Sequence, residues 1–196
     1  MKHVLIAAHP REHSFTLSMA RAYAEGVAAA GGEALLRDLY RIGFDPVLRE
    51  EELPDHAGFA PAADVAEERR LIGDADVFAL FYPLWFNAAP AILKGYIERV
   101  FGMGFAYSAG GAEGNQPLLA GRRLISFSSS GAPQHWVEES GAWEAMRTHF
   151  DEHFALMAGF TLVGHKNFGG IHPAVRADAV AQCAAEVKAE AGRLNA

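Results

Sequence analysis

The residues best suited to chemistry gather in three short segments, each directly after an apolar, β-leaning run. The first is His9-Pro10-Arg11-Glu12-His13-Ser14-Phe15-Thr16, which follows Val4-Leu5-Ile6-Ala7-Ala8. It runs straight into a stretch of helical spacing, where free backbone N–H groups and the helix dipole favour an anion. Ser14 and Thr16 add hydroxyls, and His9 an imidazole donor. The segment has no lysine and matches neither G-x-x-x-x-G-K-[ST] nor G-x-G-x-x-G, which disfavours a P-loop nucleoside triphosphatase and the dinucleotide fingerprint. Taken alone, it reads equally well as an ordinary N-cap, Ser14, beside a loop histidine.

The second segment is Tyr82-Pro83-Leu84-Trp85-Phe86-Asn87. A flat aromatic ligand gains from apolar walls and aromatic neighbours, with backbone N–H groups reaching its edge. Packing of Trp85 or Phe86 on the next helix or on a second subunit is the plainer alternative. The third segment, Ser128-Ser129-Ser130-Gly131, offers small side chains that let backbone approach a ligand closely. One segment suits a phosphate, one a planar ring and one the ring's polar edge. Together they describe a flavin nucleotide site.

Competing chemistries read less well. No G-x-S-x-G elbow surrounds Ser130, against a serine hydrolase. Of nine histidines, His149 and His153 stand four apart on a helical stretch; with Asp151 and Glu152 between them, a solvated polar face is expected there rather than a metal site. The single cysteine, Cys183, excludes an internal disulfide and is expected to be a buried, inert thiol.

The elements that must position these segments alternate between short apolar runs and longer helical stretches. After residues 4–8 comes a helix over 14–30, stopped by Gly31-Gly32, then a strand over 33–39 and a loop carrying Pro46, Pro54 and Pro61. A charged helix over 63–73 leads to a strand over 77–82. Asn87 is placed to cap a helix over 88–101. Runs at 124–127 and 161–163 supply two more strands, and Val175 to Leu194 shows helical spacing. Strands without strict alternation, separated by helices, indicate a parallel sheet covered on both faces. Five such units make a doubly wound α/β sheet, whose ligands sit beyond the carboxyl ends of its strands. The stretch 102–121, with six glycines, is expected to lie beside the site.

A chain of 196 residues fits one domain, here 1–196, with a core needing no cross-links. A net charge of −7, spread along the chain, argues against a nucleic-acid partner. No run approaches ~18 apolar residues, so no membrane insertion is expected, and a reducing, cytoplasmic setting is.

On these residues the sequence resembles the NAD(P)H:quinone oxidoreductase branch of the flavodoxin-like flavoproteins, which includes the mammalian quinone reductases and the bacterial ancillary reductases of potassium-efflux systems. The resemblance runs through nearly the whole chain. It is carried by Ala8-His9-Pro10 with Ser14-Phe15, by Asp38-Leu39-Tyr40 with Phe44 and Pro46, and above all by Pro83-Leu84-Trp85-Phe86. The string from Pro90 to Phe101 and Gly104-Phe105-Ala106-Tyr107 continue it. It implies a flavodoxin-like sheet of order 2-1-3-4-5 and a flavin cofactor, with FAD favoured over FMN. His9, Ser14, Phe15 and Thr16 would hold the phosphate, Pro83, Leu84, Trp85 and Phe86 would line the ring, and Ser128, Ser129, Ser130 and Gly131 would meet its polar edge. Trp85, Phe86, Tyr107 and Trp136 would form the substrate pocket. The implied reaction is ping-pong hydride transfer from NAD(P)H through the flavin to a quinone, in a homodimer whose second subunit closes the site. An ancillary role on a cation-efflux transporter is the alternative within the family. Where mammalian members carry a Tyr and a His after the fourth strand, this chain has Trp136 and Ala142, with His135 the nearby substitute.

Overall fold

The computed structural model describes residues 1–109 and 114–195. In chain order the main elements are β1 (Lys2–Ala7), α1 (Phe15–Ala29), β2 (Glu33–Asp38), α2 (Ala63–Ile72), β3 (Val77–Pro83) and α3 (Ala91–Val100). A two-stranded antiparallel ribbon, β4 (Tyr107–Ser108) with β5 (Gln116–Pro117), follows. Then come β6 (Arg123–Ser129), α4 (Gln134–Glu139), α5 (Ala142–Met146), a π-helical turn (Arg147–Glu152), α6 (His153–Ala158), β7 (Thr161–Phe168) and α7 (Ala177–Asn195).

Five strands pair in parallel in the order β2-β1-β3-β6-β7. With the small ribbon set aside, this is the 2-1-3-4-5 order of the flavodoxin-like fold, as expected. The switch point lies between β1 and β3. Every residue of β3 is buried, with Phe78, Leu80 and Tyr82 facing one core and Val77, Ala79 and Phe81 the other. That double burial explains the uninterrupted apolar run. The first core packs under α2, α3 and α6, the second under α1 and α7. Gly26 makes the α1–α7 contact possible, because a Cβ there would lie 2.6 Å from the Lys188 carbonyl oxygen.

Two expectations need correction. Asn87 does not cap α3. It sits at φ 55° in a tight turn between Trp85 and Ala88, and Pro90 holds the cap position. The 149–153 face is not wholly solvated: His149, Glu152 and His153 are exposed, but Asp151 is completely buried. Cys183 is half-buried on the α7 face, and burial raises its thiol pKa. Among the described residues no helix is long and apolar enough to cross a membrane.

Candidate functional site

The loops after β1, β3 and β6 meet at the carboxyl edge of the sheet around one cavity of about 550 Å³. Its walls include His9, Ser14, Phe15 and Thr16, then Pro83, Leu84 and Trp85, then Ser129, Ser130 and Gly131. Local hydrogen bonds hold the three loops in register. Ser14 caps α1 by accepting from the Leu17 amide at 3.2 Å. The first amides of the helix have no intrahelical partner and open toward the cavity. Leu84 N–H donates to the Ser129 carbonyl at 2.7 Å, tying the second loop to the third.

His9 is prepared as a donor. The Arg11 amide donates to its Nδ1 at 3.0 Å, closer than the Arg11 carbonyl at 3.3 Å, and this contact favours the neutral tautomer protonated on Nε2. Burial lowers its pKa, keeping that neutral form at physiological pH. The Arg41 guanidinium fixes the same loop through the Pro10 carbonyl at 2.7 Å.

Trp85 and Ala88 exchange both backbone hydrogen bonds at 3.1 Å around a turn in which Phe86 (φ 51°) and Asn87 (φ 55°) are both left-handed. Asparagine tolerates this conformation, but for phenylalanine it is a strained backbone. Asn87 Nδ2 donates to the Ala142 carbonyl at 2.8 Å and braces the turn. Phe86 stands at its tip, fully exposed and outside the cavity.

Similar proteins decide the lineage. The sequence profile of the flavodoxin-like fold family matches residues 1–191. The chain belongs to that family. An uncharacterized NAD(P)H oxidoreductase of Haemophilus influenzae is 32% identical over 173 residues, covering 88% of this chain and 85% of the relative. An NAD(P)H:quinone oxidoreductase from Methanothermobacter marburgensis superposes with a TM-score of 0.82 at 30% identity, over 100% of this chain and 95% of that one. An FMN-dependent NADH-azoreductase from Bacillus anthracis, solved in complex with FMN, shares the fold at 19% identity, with a TM-score of 0.75 over 100% and 99% of the two chains.

Within this flavodoxin-like chain several nominated residues lie elsewhere. Ser128 is buried behind the loop. Tyr107 lines an apolar cavity of about 360 Å³ between α3 and α6, together with Ala106 and Asn115 of the 102–121 stretch. Trp136 and His135 are exposed on α4 and line neither cavity, and residues 110–113 fall outside the described residues.

The cavity also has walls that were not anticipated. Ser18 and Arg21 stand four and seven residues beyond Ser14 on the same face of α1. Arg11, His13 and His172 complete a polar, partly cationic rim, and Val175 and Val180 close the far end. The helical spacing from Ser14 is the sequence signal that could have found Ser18 and Arg21. Behind the 128–131 loop lies a buried cluster with no sequence signal: His165 Nδ1 is 2.6 Å from Asp151 Oδ2, and His165 Nε2 is 2.7 Å from Ser128 Oγ.

Proposed function

We propose that the protein is a flavin-dependent NAD(P)H oxidoreductase that reduces quinones, with the flavin seated in the 550 Å³ cavity. One observation carries this reading: a helix N-terminus, an aromatic wall and a turn of small residues line the same cavity at the strand-order switch point. The residues fit the cofactor's chemistry. A phosphate at the start of α1 would take the free amides of Phe15 and Thr16, the Ser14 hydroxyl and His9 Nε2–H. The ring would lie along Pro83, Leu84 and Trp85, its polar edge toward Ser129, Ser130 and Gly131. Beyond the phosphate end the cavity continues past Ser18 to Arg21, Val175 and Val180. A second phosphate and a nucleoside suit that cationic, then apolar extension, which favours FAD over FMN.

When bound, the flavin supplies two-electron chemistry, accepting a hydride from NAD(P)H and then reducing a quinone that takes the nicotinamide's place. The protein's part is to hold the ring, offer directed N–H groups and narrow the access of water. Its relatives' names support the donor and the acceptor. A homodimer completes the reading: the strained Phe86 tip and the half-exposed Met157 of α6 present apolar surface that a second copy would cover. With its lone thiol half-buried, the chain suits a reducing cytoplasm.

The test is a visible spectrum of the purified protein with added FAD or FMN, before and after anaerobic NADH or NADPH. Absorbance near ~450 nm that bleaches with nucleotide and returns with a quinone supports the reading. Flavin that binds but is not bleached by either nucleotide shifts the balance to a flavin-binding ancillary subunit. Absence of binding overturns it.

A further inference from the structure

Behind the 128–131 loop runs a chain of hydrogen bonds whose direction can be followed from the surface inward. Gln134 Nε2 donates to the Glu138 carboxylate at 2.8 Å, which turns Gln134 Oε1 toward Asn167. Asn167 Nδ2 donates to that Oε1 at 2.6 Å and to Ser130 Oγ at 3.1 Å, while the Ser130 hydroxyl hydrogen goes to the Ala132 carbonyl at 2.8 Å. Asn167 Oδ1 therefore faces Ser128 and takes that hydroxyl's one hydrogen at 2.9 Å. Ser128 Oγ has only lone pairs left for His165 Nε2 at 2.7 Å, so Nε2 is the donor. On its other side, His165 Nδ1 donates to Asp151 Oδ2 at 2.6 Å, and Ser126 Oγ donates to Asp151 Oδ1 at 2.7 Å. A ring that donates from both nitrogens is an imidazolium. Both side chains of the His165–Asp151 pair are wholly buried.

Two irregularities converge to build this pair. β7 carries a bulge at Val163: Leu124 faces Leu162, but Ile125 faces Gly164. The extra residue reverses the alternation beyond it and puts His165 and Asn167 opposite Ser126 and Ser128. The π-helical turn Arg147–Glu152 brings Asp151 inward while His149 and Phe150 line the outer cavity. Bulges and π-turns cluster near functional sites, where they re-aim side chains.

We propose that His165 is a positioning residue for the flavin site: its imidazolium, held by Asp151, sets the direction of the Ser128–Asn167–Ser130 chain and so fixes the cavity-lining loop in its flavin-accepting form. This rests on the flavin reading of the cavity. Loss of one proton from the pair reverses the Ser128 hydroxyl toward His165 Nε2. Asn167 Oδ1 then loses its donor, and an amide flip to restore one would set its oxygen against Gln134 Oε1 and draw the Ser130 hydroxyl hydrogen away from the Ala132 carbonyl. The groups facing His165 are Asp151 from the π-turn, Tyr82 from β3 (ring centroids 5.8 Å apart), Ser126 and Ser128 from β6, and Trp143 from α5 (4.7 Å). Burial drives the Tyr82 phenol well above its ordinary range, so it stays neutral. Asp151 is the one charged partner of His165 among the described residues.

The experiment measures FAD and FMN dissociation constants of the full chain from about pH 6 to about pH 10, alongside imidazole ¹⁵N spectra of the flavin-free protein. The expected affinity falls as pH rises, approaching about tenfold per pH unit once the pair has lost its proton. Ser128→Ala and His165→Gln bind flavin more weakly at low pH and abolish that slope. The His165 ring shows both N–H protons at about pH 6. A flat wild-type profile, a slope retained in Ser128→Ala, or a singly protonated His165 at low pH overturns the inference while leaving the flavin site standing. If neither flavin binds at any pH, the reading of the cavity itself fails and takes the inference with it.

Discussion

The rings of His9 and Trp85 stand 6.1 Å apart between centroids and are tilted by 54°, joining the loop after β1 to the loop after β3. Both rings line the 550 Å³ cavity, and Trp85 is still 41% exposed. Trp85 belongs to neither core cluster, so its truncation is expected to cost well under the ~3–5 kcal/mol of a core aromatic. Trp85→Ala is therefore expected to lower the urea midpoint less than truncation of a core aromatic does and to raise the flavin dissociation constant about tenfold, the equivalent of about 1.4 kcal/mol. Flavin fluorescence titration and chemical denaturation of the same variant check this. Parallel losses of stability and affinity would show that Trp85 is a packing residue.

Arg21 tests which flavin the cavity takes. It lies two turns along α1 from the Ser14 cap, beyond the helix N-terminus that would hold the first phosphate. On the proposed flavin reading, a guanidinium there would serve a second phosphate and would have nothing to offer FMN. Arg21→Ala should weaken FAD roughly fivefold to tenfold, in the range of a charge-assisted hydrogen bond, and leave FMN unchanged. Competitive titration of the two flavins reads the difference directly, and an equal effect on both would place Arg21 at the first phosphate.

Most of this architecture is legible in the sequence, for a physical reason. Strands buried on both faces, such as Val77–Pro83, must be apolar throughout, and the helices between them must show one apolar stripe. The three cavity-lining loops follow from the same rule, since a parallel sheet gathers its strand ends at one edge. The illegible features depend on broken periodicity. A bulge at Val163 reverses which face His165 occupies, and a π-turn carries Asp151 off the polar face that its neighbours His149, Glu152 and His153 keep. Neither break has a signature in one sequence. The turn carrying Asn87 hides similarly: an asparagine before a helix suggests a cap, yet its left-handed conformation serves the Trp85–Ala88 turn.

Met157 bears on the homodimer. It lies on α6 at the rim of the 360 Å³ apolar cavity, beside the highly exposed Leu156. A charge placed there costs a monomer little, because the side chain already meets water, but would be desolvated in a dimer. Met157→Arg is expected to turn a dimer into a monomer in sedimentation equilibrium at unchanged thermal stability of the fold. If the second subunit closes the flavin site, the monomer also loses flavin on gel filtration. A wild-type monomer would remove the dimer from the reading.

His3 makes stability depend on pH in a defined window. Its side chain is fully buried in β1, with Nδ1 3.1 Å from the Tyr23 hydroxyl. Burial, assisted by the nearby Arg123 cation, lowers its pKa from 6.5 to about 4. Between these values the unfolded chain binds a proton that the folded chain refuses, so stability falls as the solution is acidified from 6.5 toward about 4. The full effect at the lower end is about 3 kcal/mol. The paired carboxylates Asp64 and Glu190, whose pKa values their arginine partners lower, add their own loss at the acid end of this window and below it, as their unfolded forms, with ordinary values of 3.8 and 4.5, take up protons. Urea unfolding at a series of pH values should therefore show a decline across the window in the wild-type protein and a much flatter curve in His3→Leu. Parallel curves for the two proteins would mean that another group takes up the proton.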